Sequence, residues 1–121
     1  MTNTEVVQAF FAALVAGDAD TVERLLAPDI AWLNSGLPTV RGGAVRGILR
    51  AVPRVRATFD VEMHDIEEDG EFVRTERTDV LTWGPLSSRF FVSGTFVVRD
   101  GRIHRWDDRF SMRKVLTGFL R

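Results

Sequence analysis

Two carboxylates and one arginine sit in this chain at positions whose side chains should turn away from water. Across residues 73–83, strand alternation puts Val73, Thr75, Arg77, Asp79, Leu81 and Trp83 on one face, with Arg74, Glu76, Thr78 and Thr82 on the other. Arg77 and Asp79 therefore point inward with the apolar set, and a buried charge costs several kcal/mol unless it is paired. A later segment supplies a partner, because Trp106, Asp108 and Phe110 share a face. By the same parity Trp32 and Asn34 share one. Asn34, Arg77, Asp79 and Asp108 thus converge from three strands, with Trp32 beside them. Two carboxylates around one guanidinium can divide general acid and general base work between them. Mutual repulsion and desolvation raise a carboxyl pKa, while Arg77 lowers it, and the pair titrates as one unit. In the competing reading Arg77 only bridges the two acids to hold strand register. The surplus argues against it: one guanidinium does not neutralise two carboxylates, and Asn34 adds an amide to satisfy. A pocket holding ordered water satisfies all four groups.

Composition narrows the alternatives. With 121 residues the chain has room for a single domain, residues 1–121. Sixteen basic against seventeen acidic residues provide no field to gather nucleic acid or an anionic membrane. The absence of cysteine excludes disulfide scaffolds, thiolate nucleophiles and thiolate zinc sites. The two histidines, His64 and His104, have no ligand spacing and read as surface or structural residues, so neither a metal nor a cofactor is expected. Arg46, Arg50, Arg54 and Arg56 read as a solvated face. No apolar run approaches the ~20 residues of a membrane helix, and the N-terminus does not read as a signal peptide. A cytoplasmic location is the expectation.

Helices must come first. Thr2 and Glu5 have capping-box spacing, after which Val6, Val7, Phe10, Phe11, Leu14 and Val15 recur at helical intervals up to Gly17. A second helix is expected to start near Asp20 and carry Val22, Leu25 and Leu26 to Pro28. Ile30, Trp32 and Asn34 alternate on a short strand, and Val45, Ile48, Leu49 and Val52 mark a third helix closing at Pro53. Long strands follow over residues 56–68, 72–83, 89–98 and 102–110, with Asp69-Gly70, Gly84-Pro85 and Asp100-Gly101 as turns. Ser111 caps a last helix with Val115, Leu116 and Phe119. This order predicts an α+β fold, N-terminal helices on the concave face of a curved antiparallel sheet that encloses a cone-shaped pocket. Phe90, Phe91, Phe96, Val97 and Val98 are apolar on both faces of one strand. The expected burial on both sides sets one side against the pocket and the other against a helix or a second subunit. Leu81 and Trp83 flank the charges and, with Trp106 and Phe110, are expected to line an apolar pocket.

Three segments carry a resemblance: Thr75-Glu76-Arg77-Thr78-Asp79-Val80-Leu81, Trp106-Asp107-Asp108-Arg109-Phe110, and Asn34-Ser35-Gly36-Leu37-Pro38 with Arg41-Gly42. Together, in order and over nearly the whole chain, they resemble the limonene-1,2-epoxide hydrolase family of the NTF2-like (SnoaL-like) superfamily. The resemblance implies an Asp-Arg-Asp triad of Asp79, Arg77 and Asp108, with Asn34 helping to hold the attacking water. It also implies a cofactor-independent hydrolase for a small hydrophobic epoxide, with Asp108 as base, Asp79 as acid and Arg77 bridging, working as a homodimer. The family's tyrosine falls on Trp32, which offers only an N–H donor. Two other functions compete: an epoxide-opening cyclase or isomerase built on the same pocket, and a non-catalytic small-molecule binder. Asn34 favours hydrolysis over the first, and two inward carboxylates weigh against the second. The commoner ester route to diols needs a strand-to-helix nucleophile elbow and a positioned histidine, and the sequence shows neither.

Overall fold

A computed structural model describes residues 1–120 of the chain. Helix α1, Asn3–Ala16, begins as its capping box requires: Thr2 Oγ1 accepts from the Glu5 amide at 3.1 Å, and the Glu5 carboxylate accepts from the Thr2 amide at 2.8 Å. A second helix, α2, spans Ala19–Leu25 under an Asp18 cap. Leu26 does not belong to it, as the spacing had suggested, but opens strand β1, Leu26–Asn34. Between Pro28 and the Gly42-Gly43 turn the chain adds an unexpected two-residue strand, β2, Val40–Arg41. Helix α3, Gly43–Arg54, takes Pro53 into its last turn, one residue past the expected stop. The meander follows as β3, Ala57–Asp69; β4, Phe72–Trp83; β5, Leu86–Arg99; and β6, Arg102–Arg109. Helix α4, Met112–Gly118, closes the described chain, with Ser111 Oγ accepting from the Lys114 amide.

The strands form one six-stranded sheet in the order β2-β1-β6-β5-β4-β3. It is mixed, where an antiparallel sheet was expected: β1 lies parallel to β6. Alternation tells which face a residue takes but not which way its strand runs. Here the helical preamble delivers β1 to the free edge of β6 in the same direction. That pairing sets Trp32 beside Trp106 and Asn34 beside Asp108. Antiparallel pairing then continues each row, Trp106 to Phe96 to Val73, and Asp108 to Gly94 to Thr75.

The core lies between α1 and the concave side of the sheet. Val6, Val7, Phe10 and Phe11 of α1 are buried there with Val73, Phe96, Val98, Ile103 and Trp106. Phe10 stands edge-on to Trp106 and Phe96, with ring centroids 5.0 and 6.3 Å away. Trp32 stacks on Trp106 at 4.3 Å. Helix α3 is anchored less firmly: Val45 alone of its residues is fully buried, and Ile48, expected on its packed face, is exposed. Phe91 lies on the convex face with 53% of its surface open; among the described residues no helix covers it, which leaves a second subunit as the expected cover of that side.

Candidate active site

Arg77 is the largest side chain in the chain to be completely buried. Strand β4 holds Thr75, Arg77 and Asp79 on its concave face, and β6 brings Asp108 to them through the intervening β5. The Arg77 Nε–H donates to Asp79 Oδ1 at 2.8 Å and Nη2 donates to Asp79 Oδ2 at 3.2 Å. Nη2 also donates to Asp108 Oδ2 at 2.6 Å, and Nη1 to Thr75 Oγ1 at 3.1 Å. The Phe11 ring covers the guanidinium carbon, 4.6 Å from its centroid. The fork on Asp79 and the single bond to Asp108 make the two carboxylates unequal. Both oxygens of Asp79 are held, whereas Asp108 Oδ1 is buried without a partner among the described residues.

Burial dominates the electrostatics. It pushes the Asp108 carboxyl up to about 6 against the lowering pull of the Arg77 charge and its hydrogen bond, and the Asp79 charge adds to the rise. Asp79 is also raised by burial, with Arg77 opposing. Desolvation weakens the proton affinity of Arg77, but the two carboxylates more than restore it, so Arg77 is held charged.

A cavity of about 440 Å³ opens over these groups. Asp79, Asp108, Asn34 and Trp32 face it, and Leu14, Val22, Leu49, Phe59, Leu81 and Phe90 supply apolar wall. Of the residues expected from the sequence, Arg77, Asp79, Asp108, Asn34 and Trp32 come together, and Leu81, Trp106 and Phe110 line the cavity. Trp83 does not. It is 60% exposed, because its row is the last of the β4–β5 hairpin and runs past the rim of the cavity. His64 is exposed and bonded to Thr78, and His104 stands 3.8 Å from Asp29, both away from the Arg77 cluster. Two indole N–H groups, on Trp32 and Trp106, are buried with no partner among the described residues. No cluster of His, Asp or Glu among the described residues has metal-binding geometry.

Some participants were not found by sequence reasoning. Phe90 shares a face with Val92 and signals itself by parity, but nothing marked which side of that doubly apolar strand would meet the cavity. The wall from α2 and α3 depends on helix placement, which no local pattern encodes. Gly94 did carry a signal, since a glycine inside a strand marks a close approach. A Cβ there would fall under 3 Å from Arg77 Nη1, Asp108 Oδ1 and Thr75 Oγ1.

Residues 1–121 match the family model described as the limonene-1,2-epoxide hydrolase catalytic domain. The chain is 43% identical over 115 residues to the epoxide hydrolase EphG of Mycobacterium tuberculosis, covering 95% of this chain and 77% of that protein. It superposes on the structure of an M. tuberculosis LEH-like epoxide hydrolase with a TM-score of 0.91 at 41% identity, over 98% of this chain and 89% of that one. An NTF2-like protein of Burkholderia pseudomallei shares the fold at 20% identity, with a TM-score of 0.83 over the whole of both chains.

The raised carboxyl has a thermodynamic signature. Asp108 lies at about 6 folded against 3.8 as a free side chain, so the folded state binds its proton more tightly. The stability this contributes is complete below the unfolded value and is lost as pH rises through the folded one. Urea unfolding should therefore show wild type losing stability relative to Asp108→Asn between about pH 4 and pH 7. Parallel curves over that range would show that Asp108 is not the raised group.

Proposed function

The chain belongs to the limonene-1,2-epoxide hydrolase family and is an epoxide hydrolase, and we propose that it opens a small hydrophobic epoxide by direct attack of water. The observation that carries this is the unpartnered, buried Oδ1 of Asp108, next in register to Asn34 and in the same cavity as the free indole N–H of Trp32. A water admitted beside these groups donates to the Asp108 carboxylate and to the Asn34 amide oxygen, and accepts from Trp32 Nε1–H. That supplies the contact the family's tyrosine would have made. The apolar wall and the volume of the cavity suit a compact hydrocarbon ring or short chain.

In the proposed step, Asp108 takes a proton from the water as its oxygen bonds to an epoxide carbon. The carbon–oxygen bond on the far side breaks, and Asp79 gives a proton to the departing oxygen. Asp108 leaves the step protonated and Asp79 ionised, and a proton returned from Asp108 to Asp79 resets the pair. A base near 6 is ionised at neutral pH and still basic enough to work. Arg77 stays charged throughout and fixes the spacing of the two acids. Two observations favour exchanging the roles: the fork from Arg77 stabilises Asp79 as the ionised member, and burial raises Asp108 further, so that a proton shared by the pair rests there first. Asp108 is read as the base because it lies beside Asn34 in register.

The reading extends to assembly and location. Phe91 stands exposed on the convex face beside Thr78, its register partner, with the half-buried Ser93–Glu76 bond adjacent. We infer that this face pairs with its copy in a cytoplasmic homodimer.

Four tests follow from the proposal. Asp79→Asn and Asp108→Asn should each lower turnover by about 10²–10⁴. An epoxide with an electron-poor, easily departing oxygen should restore much of the loss in Asp79→Asn and little in Asp108→Asn; the reverse pattern exchanges the roles. With enzyme in excess in ¹⁸O-water, the first-turnover diol should already carry label, and an unlabelled diol would establish an ester intermediate instead. Trp32→Phe should slow turnover by about ten-fold with little change in melting temperature, and unchanged turnover would reduce Trp32 to cavity wall. In sedimentation, the wild type should run at twice the chain mass and Phe91→Glu at the monomer mass; a monomeric wild type ends the dimer reading.

A further inference from the structure

Thr75 lies on the site's face of β4, fully buried, and no role in the reaction has been given to it. Its hydroxyl is committed in both directions. Arginine can only donate, so Thr75 Oγ1 must accept from Arg77 Nη1 at 3.1 Å, and its own hydrogen goes to the Gly94 carbonyl at 3.2 Å. The orientation of that hydroxyl is therefore set by its neighbours.

What it does to Arg77 bears on Asp108. A guanidinium offers a carboxylate two forks, one from Nε and one Nη, the other from the two Nη groups. Asp79 occupies the first. The second faces Asp108, but only half of it is used: Nη2 reaches Oδ2 at 2.6 Å, while Oδ1 has no partner. Nη1 and Oδ1 are nonetheless neighbours, since both would lie under 3 Å from a Cβ placed on Gly94. The missing side chain at Gly94 leaves the two atoms a shared space, and the hydroxyl of Thr75 draws Nη1 to its own side of it.

We propose that Thr75 is a positioning residue: by engaging Arg77 Nη1 it fixes the guanidinium so that Asp108 receives one hydrogen bond and Oδ1 stays without one. The inference rests on the reading of Asp108 as base. Without the hydroxyl both Nη1 hydrogens are free, and a small tilt of the guanidinium brings one of them to Oδ1 and completes the second fork. Asp108 then holds its negative charge more tightly and becomes a weaker base. The other groups around Asp108 stay constant. Asp79 and Arg77 face it from β4, Trp32 and Asn34 from β1 bear no charge, and Phe11 from α1 covers the guanidinium. At the cavity, Glu23 of α2 is paired with Arg50 of α3, and Arg46 of α3 donates to the Leu26 and Ala27 carbonyls. No charged side chain of β5 or β3 points to the site among the described residues.

The test compares Thr75→Val, which removes the hydroxyl at nearly constant shape, with Thr75→Ser, which keeps it. The ¹³C resonance of the Asp108 carboxyl, assigned as the signal missing in Asp108→Asn, reports its titration directly. In Thr75→Val that titration should move to lower pH by about half a unit or more, and kcat should fall by about ten-fold with KM nearly unchanged; Thr75→Ser should restore both. If Thr75→Val does not fold, Thr75→Ala is read in the same way. A variant that melts earlier but keeps the wild-type titration and kcat would make Thr75 a structural residue only and overturn the proposal. The underlying assignment fails differently: the Asp108 titration moves in Thr75→Val while the acidic limb of the kcat profile stays put, so that Asp108 is not the base.

Discussion

The burial of one guanidinium between two carboxylates governs the rest of this structure. Taking three charges out of water costs more than their attraction returns unless nearly every donor and acceptor is met. Arg77 meets that condition from four directions, through the fork on Asp79, the short bond to Asp108, the Thr75 hydroxyl and the face of Phe11. Two of these contacts are local to β4 and two come from distant segments, so the cluster is complete only when helix α1 and β6 are in place around it. A well-packed apolar replacement would fold at least as well by this accounting. The ions are intelligible as chemistry, and the scaffold bears their cost.

Register is the means by which the scaffold does so. The parallel pairing of β1 with β6 is a small part of the sheet, yet it sets Asn34 against Asp108 and Trp32 against Trp106 in one stroke. A one-residue slip would turn Asp108 into solvent and bring Asp107 or Arg109 inward. The stacked Trp32–Trp106 pair, with Phe96 parallel to Trp106 at 6.2 Å and Phe10 edge-on, acts as a gauge against such slips. Side chains of this size fit the concavity in one register only. The aromatic row thus secures the polar row beside it.

Much of this was legible in the residues, and the legible part has a common cause. Parity along a strand is local, so Arg77, Asp79 and Asp108 declared themselves as inward charges, and the capping box and the Asp-Gly turns declared their elements. What parity does not carry is strand direction, the extent of the cavity or the coverage of a face. For that reason the sheet was read as antiparallel, and Trp83 was counted in the wall although its row lies beyond the rim. The helical part of the wall escaped for a related reason. Leu14, Val22 and Leu49 are placed over the site by tertiary packing of three helices, and each looks locally like any core residue.

The inequality of the two acids is the last consequence of the arrangement. By composition Asp79 and Asp108 are identical, and both are buried beside the same cation. They differ only in which edge of a planar group each receives: two bonds to one, a single bond to the other. That difference leaves one carboxylate oxygen without a partner among the described residues, and it is on the carboxyl that burial has raised furthest. A symmetric salt bridge would have left the two carboxylates equal. Breaking the symmetry of the guanidinium's contacts gives two chemically identical side chains different surroundings. Within this cluster, hydrogen-bond geometry is what tells the two acids apart.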